Sequence, residues 1–289
     1  MPATPVPGKP NEVTRLIADP RNSENLIILQ LHTVFMRLYN RFLGNTPGPA
    51  GDLSRYEAAR RQTVHHYQHV VLHDYLPRII GRAAVDAALL RNVPRYRHMV
   101  SQSASKLIMP VEFAFAAFRF GHSQVRAGYG LSIAPDNTVR RRATFSGTDA
   151  DLNGSQPVTP DARINWDFFF ELSELDGQAR TGPRNVSRRF DSRLVEPLFN
   201  LKPPGIPGGT QPSLAARNLL RGREAGLPIG QAVARAIGQP PLAENQLGLG
   251  DILDATLRTQ LTQQRRPFCM EPPVRRAGRP PAGNPAAFP

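Results

Sequence analysis

The stretch that most constrains this chain is Met109 to Arg126, MPVEFAFAAFRFGHSQVR, an apolar run that ends on a single histidine placed directly after a glycine. Read at 3.6 residues per turn, it predicts a helix on which Phe115, Phe118 and His122 share a face, and Gly121 removes bulk beside the imidazole. A flat apolar ligand could approach such a face. The same residues also fit a core histidine satisfied by its neighbours, the commoner fate of a lone His on an apolar helix.

The rest of the chain reads as mainly α-helical, with long irregular loops. Residues 1–13 are proline-rich and predict a disordered segment. From Arg21 to Phe42, apolar residues at Leu26, Leu29, Val34, Met36 and Leu38 predict a mostly buried helix with Ser23 as its N-cap. A second helix is expected from Ser54 to Gly81, ended or kinked at Pro77. Gly128 to Pro160 reads as an exposed excursion with short strands, and Ile164 to Leu175 as apolar helix or core. A short amphipathic piece follows at Phe190 to Leu201. Leu214–Arg223 and Ile229–Ile237 read as two helices broken at Gly226 and Pro228, and Leu253–Gln264 as one more. The organisation expected is one domain over 14–264 and a disordered, basic, Pro/Arg-rich tail over 265–289.

The net charge of +13 comes mostly from arginine, since Lys9, Lys106 and Lys202 are the only lysines. Such a balance fits nucleic acid, an anionic surface or a ligand bearing carboxylates. Arg140, Arg141 and Arg142 lack aromatic interleaving and a recognition fold, so a solvated surface is the better reading and no specific nucleic-acid partner is expected. The single cysteine, Cys269, permits no intramolecular disulfide. No apolar run reaches about 18 residues and no signal peptide is visible, so no membrane span is expected and a cytoplasmic location is the default.

His65, His69 and His73 fall on one helix face with His66 beside it, but no matching Cys or acidic ligand lies at a characteristic spacing, and polar surface positions are favoured over a metal site. Ser123 follows His122 without the G-x-S-x-G elbow. Glycine-rich phosphate fingerprints are absent.

Three separated stretches change the reading of His122. DPRNSEN followed by LQLHTVFMRLYNR (Asp19 to Arg41), AFRFGHS (Ala117 to Ser123) and RNLLRGREAGLP (Arg217 to Pro228) resemble, in order, the haem peroxidases of the animal type and especially their bacterial relatives; HHYQHVVLHDYLPRIIG (65–81) resembles the helix between the first two. The resemblance covers about residues 15–260. It implies a haem-peroxidase-like helical fold, haem b as cofactor, and oxidation of an unknown electron donor by hydrogen peroxide. Calcium is not supported by this chain.

Residue by residue, the resemblance makes His122 the proximal ligand of haem iron and Asn218 its hydrogen-bond partner. Arg119 and Arg221 match arginines near the haem propionates. Arg21 matches the distal catalytic arginine that polarises bound peroxide, and Glu24 the glutamate that esterifies haem in some members. Asn25 stands where one branch has a haem-linked methionine, so that linkage is not expected. Haem would lie between the Arg21 helix and the His122 helix.

Two departures accompany these matches. The family's distal histidine and its neighbouring aspartate lie well upstream of the DxR motif, in a segment resembling GQFxDHD that this chain does not contain, and His32 matches a different position. After Gln264, relatives would continue into apolar helices. A chain truncated at its N-terminus and divergent at its C-terminus is therefore expected, with a separate chain supplying the distal segment left open as a partner. A non-catalytic haem-binding remnant and a basic interaction protein remain the alternatives to a peroxidase.

Overall fold

The computed structural model describes residues 3–90, 109–146, 151–172, 175, 177, 183–191, 193–201, 212–243 and 246. The expected helix at 253–264 and the tail at 265–289 lie outside them. The fold is mainly α, with two small two-stranded sheets. Its contacts divide the chain into two compact units, Met1–Arg97 with Gly128–Val186 and His98–Ala127 with Ser187–Pro289, where one domain was expected.

The first unit begins with a correction. Residues 3–13 do not form a disordered lead but belong to an antiparallel hairpin of β1 (Ala3–Val6) and β2 (Lys9–Arg15), with Ala3 opposite Arg15. Gly8 takes φ +74° in the turn, a conformation that L side chains rarely adopt. The second strand gains partners elsewhere in the unit: Val13 N donates to Ser155 O at 2.8 Å, and the Arg15 guanidinium donates to the carbonyls of Gly154 and Gln156.

A 3-10 turn over Pro20–Ser23, capped by Asp19, leads into α1 (Leu26–Asn45). Asn25, not Ser23, is the N-cap of α1, and its side chain accepts from Ile27 N at 2.8 Å. The register is set from outside the helix. Leu26 N donates to Leu152 O at 2.9 Å and Gly154 N to Glu24 O at 3.0 Å, flanking a bridge between Asn25 and Asn153. Only glycine fits at 154, because a Cβ there would run into the Ser23 carbonyl and come within 2.9 Å of Asn25 N. The apolar core closes on this junction, with Leu26, Leu29, Leu131, Leu152 and Ala162 all buried.

α2 (Leu53–Val70), capped by Asp52, packs along α1 through an edge contact of Phe35 with Tyr67 and a tilted contact of Phe42 with His66. It continues into a π turn at Val71–Tyr75 and then α3 (Leu76–Ile80), which stops at Gly81 with φ +83°. Pro77 therefore neither ends nor sharply breaks the run. It sits in the first turn of α3, where a missing N–H costs least, and the ladder widens immediately before it. α4 (Arg82–Leu90) follows.

The apolar run expected as one helix is broken into α5 (Val111–Phe115), a 3-10 turn at Ala117–Phe120 and α6 (Gly121–Gln124). The break falls at Ala116, with φ −129° and ψ −76°. The chain then returns to the first unit for a hairpin of β3 (Gly128–Ile133) and β4 (Val139–Ala143). Over 164–172 the chain forms a 3-10 turn at Trp166–Phe168 rather than a long helix, and of its aromatic side chains Phe168 enters the core, 1% exposed, while Phe170 is exposed. The 190–201 piece is likewise reduced to a 3-10 turn at Glu196–Phe199. α7 (Leu214–Glu224) and α8 (Gly230–Ala236) are separated at Gly226, whose φ of +61° ends α7.

Candidate functional site

The second unit gathers four of the predicted site residues. α7 presents Asn218 and Arg221 one turn apart, and both reach the segment 111–124. Asn218 Nδ2 lies 2.9 Å from His122 Nδ1, and Asn218 Oδ1 accepts from Arg119 Nη1 at 2.7 Å. Arg221 Cζ stands 5.2 Å from the centre of the Phe115 ring and Arg119 Cζ 5.8 Å from it, so one aromatic ring serves both cations. Phe115 is the member that the sequence placed beside His122 only as helix surface; the i, i+4 spacing to Arg119 was the available signal.

His122 is fixed from its own turn as well. The neighbouring Ser123, buried, donates to Phe120 O at 2.9 Å and sits 3.3 Å from Arg189 O, while Arg188 N donates to Gln124 O. Phe120 packs on Phe190 at 4.6 Å between ring centres. Ser123 is thus a structural anchor with its hydroxyl committed to backbone. Burial, and secondarily the positive charge of Arg119, push the His122 pKa below its ordinary 6.5. The ring is neutral at pH 7, the form that ligates a metal.

The donor set fits a haem. A single half-buried neutral imidazole has an amide behind it and two guanidiniums on the same unit, and Phe113 and Phe118, 5.6 Å apart, present exposed apolar faces nearby in the segment. Arg119 Nε is buried with no hydrogen-bond partner among the described residues, an N–H left for an acceptor such as a carboxylate.

Arg21 and Glu24 lie in the first unit. Arg21 is exposed and paired with Asp19, Nε to Oδ1 at 2.9 Å, and this pairing draws the Asp19 pKa down to about 2. Glu24 is exposed, with its carbonyl held by Gly154. His69 and His73 stack at 4.3 Å between ring centres and His66 Nδ1 lies 2.8 Å from Gln62 O; among the described residues no group of three or more His, Cys, Asp or Glu could hold a metal ion.

The arginine triplet corrects the surface reading. Arg142 turns inward with its side chain 12% exposed, donating to Asp151 O, Gln156 Oε1 and, at 2.8 Å, to Asp161. It clamps the loop after β4. Nothing in the triplet's local sequence distinguished Arg142 from its neighbours.

The family profile described as animal haem peroxidase matches residues 3–263. The chain is 30% identical over 227 residues to a peroxidase-like protein of Margaritifera margaritifera, covering 73% of this chain and 26% of that protein. It is 30% identical over 241 residues to human thyroid peroxidase, covering 78% and 23%, and 25% identical over 216 residues to heme peroxidase 2 of Caenorhabditis elegans, covering 72% and 28%. Peroxidase A from Dictyostelium discoideum shares the fold, with a TM-score of 0.50 and 19% identity over 87% of this chain and 43% of that one. The chain thus spans about a quarter of the length of these curated relatives. No helix among the described residues is long and apolar enough to cross a membrane. With nearly its whole length matched by the family profile, this chain belongs to the animal haem peroxidase family.

Proposed function

We propose that the chain binds haem b through His122 and works in a peroxidase that reduces hydrogen peroxide while oxidising an organic or halide donor. The observation that carries this reading is the chain Arg119, Asn218, His122, joined by hydrogen bonds across 99 and 96 residues of sequence. Bound haem would supply an iron that peroxide oxidises and the donor reduces again.

The protein's own contributions follow from its side chains. His122 ligates through Nε2 as a neutral imidazole, and Asn218 holds the ring's orientation. Arg119 and Arg221 take the propionates by charge-assisted hydrogen bonds. Arg21 polarises bound peroxide, for which it must be shared with or released from Asp19. A guanidinium stays protonated and cannot accept the peroxide proton. That duty falls to a histidine from a further segment or a separate chain. Glu24 is the candidate for an ester to haem.

A second reading, haem binding without turnover, is favoured by the exposure of Arg21 and its engagement with Asp19. Titrating purified protein with haem tests both: a Soret band is expected and should be lost in His122→Ala. Turnover of a chromogenic donor with peroxide, lost in Arg21→Ala, supports the first reading, and a band without turnover supports the second. No band in either protein overturns both and leaves the basic interaction protein.

A further inference from the structure

Within the first unit lies a cavity of about 660 Å³, lined by none of the residues assigned to the haem site. Its wall is formed by α1 on one side and by the strand β2 and residues 157–166 on the other. Leu29, Val34 and Trp166 give it an apolar stretch of wall within a mixed lining, and the volume is that of an ordinary small-molecule site. Three arginines, Arg15, Arg37 and Arg163, also line it, and no Asp or Glu among the described residues does.

The three charges are not neutralised by the described residues. Arg15 spends its N–H groups on the carbonyls of Gly154 and Gln156, which bear no net charge. Arg37 and Arg163 are exposed and have no carboxylate partner among the described residues. The wall between them is fixed in advance: Gln30 donates to Ala162 O at 2.9 Å and accepts from Ile164 N at 3.0 Å, which ties the backbone on both sides of Arg163 to α1. Arg37 follows Gln30 by two helical turns on the same face. A preformed cavity with an apolar stretch of wall, positive charge and no negative charge among the described lining residues selects a ligand with an apolar body and an anionic end.

We propose that this cavity binds an amphipathic organic carboxylate, with its apolar body against Leu29, Val34 and Trp166 and its carboxylate between Arg37 and Arg163. Trp166 is the chain's only tryptophan, so its fluorescence reports the site directly. The test titrates the full chain at pH 7 with octanoate and, in parallel, with 1-octanol, which has the same apolar chain length and no charge. A saturable change in Trp166 emission is expected with octanoate, at an affinity about tenfold or more above that for octanol. The Arg37→Ala, Arg163→Ala double variant, checked for an unchanged circular dichroism spectrum, should bring octanoate down to the level of octanol. Equal affinity for the two ligands, no saturable response to octanoate, or an unaltered octanoate affinity in the double variant would each overturn the proposal. Should the double variant misfold, Arg37→Gln alone, read by the same pair of titrations, decides the matter.

Discussion

Asn218 presents its amide nitrogen to Nδ1 of His122 at 2.9 Å while its amide oxygen is occupied by Arg119 at 2.7 Å. The guanidinium can only donate, so the oxygen must face Arg119 and the NH2 must face the imidazole. Nδ1 is then an acceptor, and the proton of the neutral ring sits on Nε2. In the proposed haem complex the arrangement must reverse, with Nδ1–H donating to the amide oxygen. A propionate that takes Arg119 frees the amide to turn.

This relationship gives the first prediction. In the ligand-free protein, 15N shifts of His122 should report a proton on Nε2, and Arg119→Ala should mix the two tautomers. Asn218→Ala should weaken haem binding about 10–100-fold in a Soret titration. An unchanged affinity would remove Asn218 from the site.

The second prediction concerns pH. The His122 pKa lies below 6.5 because burial and then Arg119 disfavour the charged ring. A lowered pKa means that the neutral form persists in the folded protein as pH falls through 6.5; folding stability, full above 6.5, declines between 6.5 and the folded-state value, where the unfolded chain takes up the proton and the folded one does not. Haem affinity should therefore stay flat as pH falls through 6.5 and drop only below the lowered folded-state pKa of His122. The NMR titration midpoint of His122 should rise in Arg119→Ala but stay under 6.5, since burial remains.

Gly154 is the site of the third. Substitution by Ala drives a methyl group into the Ser23 carbonyl, and the backbone on both sides is pinned by hydrogen bonds. Destabilisation of about 3 kcal/mol is expected from such overpacking, measured by urea denaturation. The control Gly44→Ala meets nothing within 4 Å and should be neutral or stabilising.

Asp161 supplies the fourth. Its hydrogen bond with Thr159, and then that with Arg142, lower its pKa from 3.8 to about 2. The stabilisation is present above 3.8 and is lost as pH falls through about 2. Because the carboxylate is half exposed, the difference between wild type and Asp161→Asn should be under about 1 kcal/mol, constant from pH 7 to about 4 and vanishing towards pH 2.

What the sequence revealed followed from local chemistry. α1, α2 and α7 stand where apolar periodicity put them, and the break after α7 falls at Gly226, where a positive φ needs glycine. What it hid depends on distant partners. The β1–β2 hairpin looked like a proline-rich lead because the bond fixing Val13 comes from Ser155. RNSEN contains three residues able to cap a helix, and Leu152, far along the chain, selects Asn25. At the candidate site, His122 and Asn218 were visible through family motifs, but Phe115 bearing two guanidiniums and the inward turn of Arg142 arise from packing that no single stretch encodes.

The clasp of residues 152–154 on the start of α1 has a consequence for synthesis. A chain made from its N-terminus has α1 long before it has Leu152 and Gly154, so the helix must wait with the N–H of Leu26 and the carbonyl of Glu24 answered only by water. The segment bearing Arg21 and Glu24 reaches its final backbone pairing only after Leu152 and Gly154 have emerged. Its maturation is timed by the loop that arrives after β4, and a pause in translation before residue 154 would leave that segment unlatched.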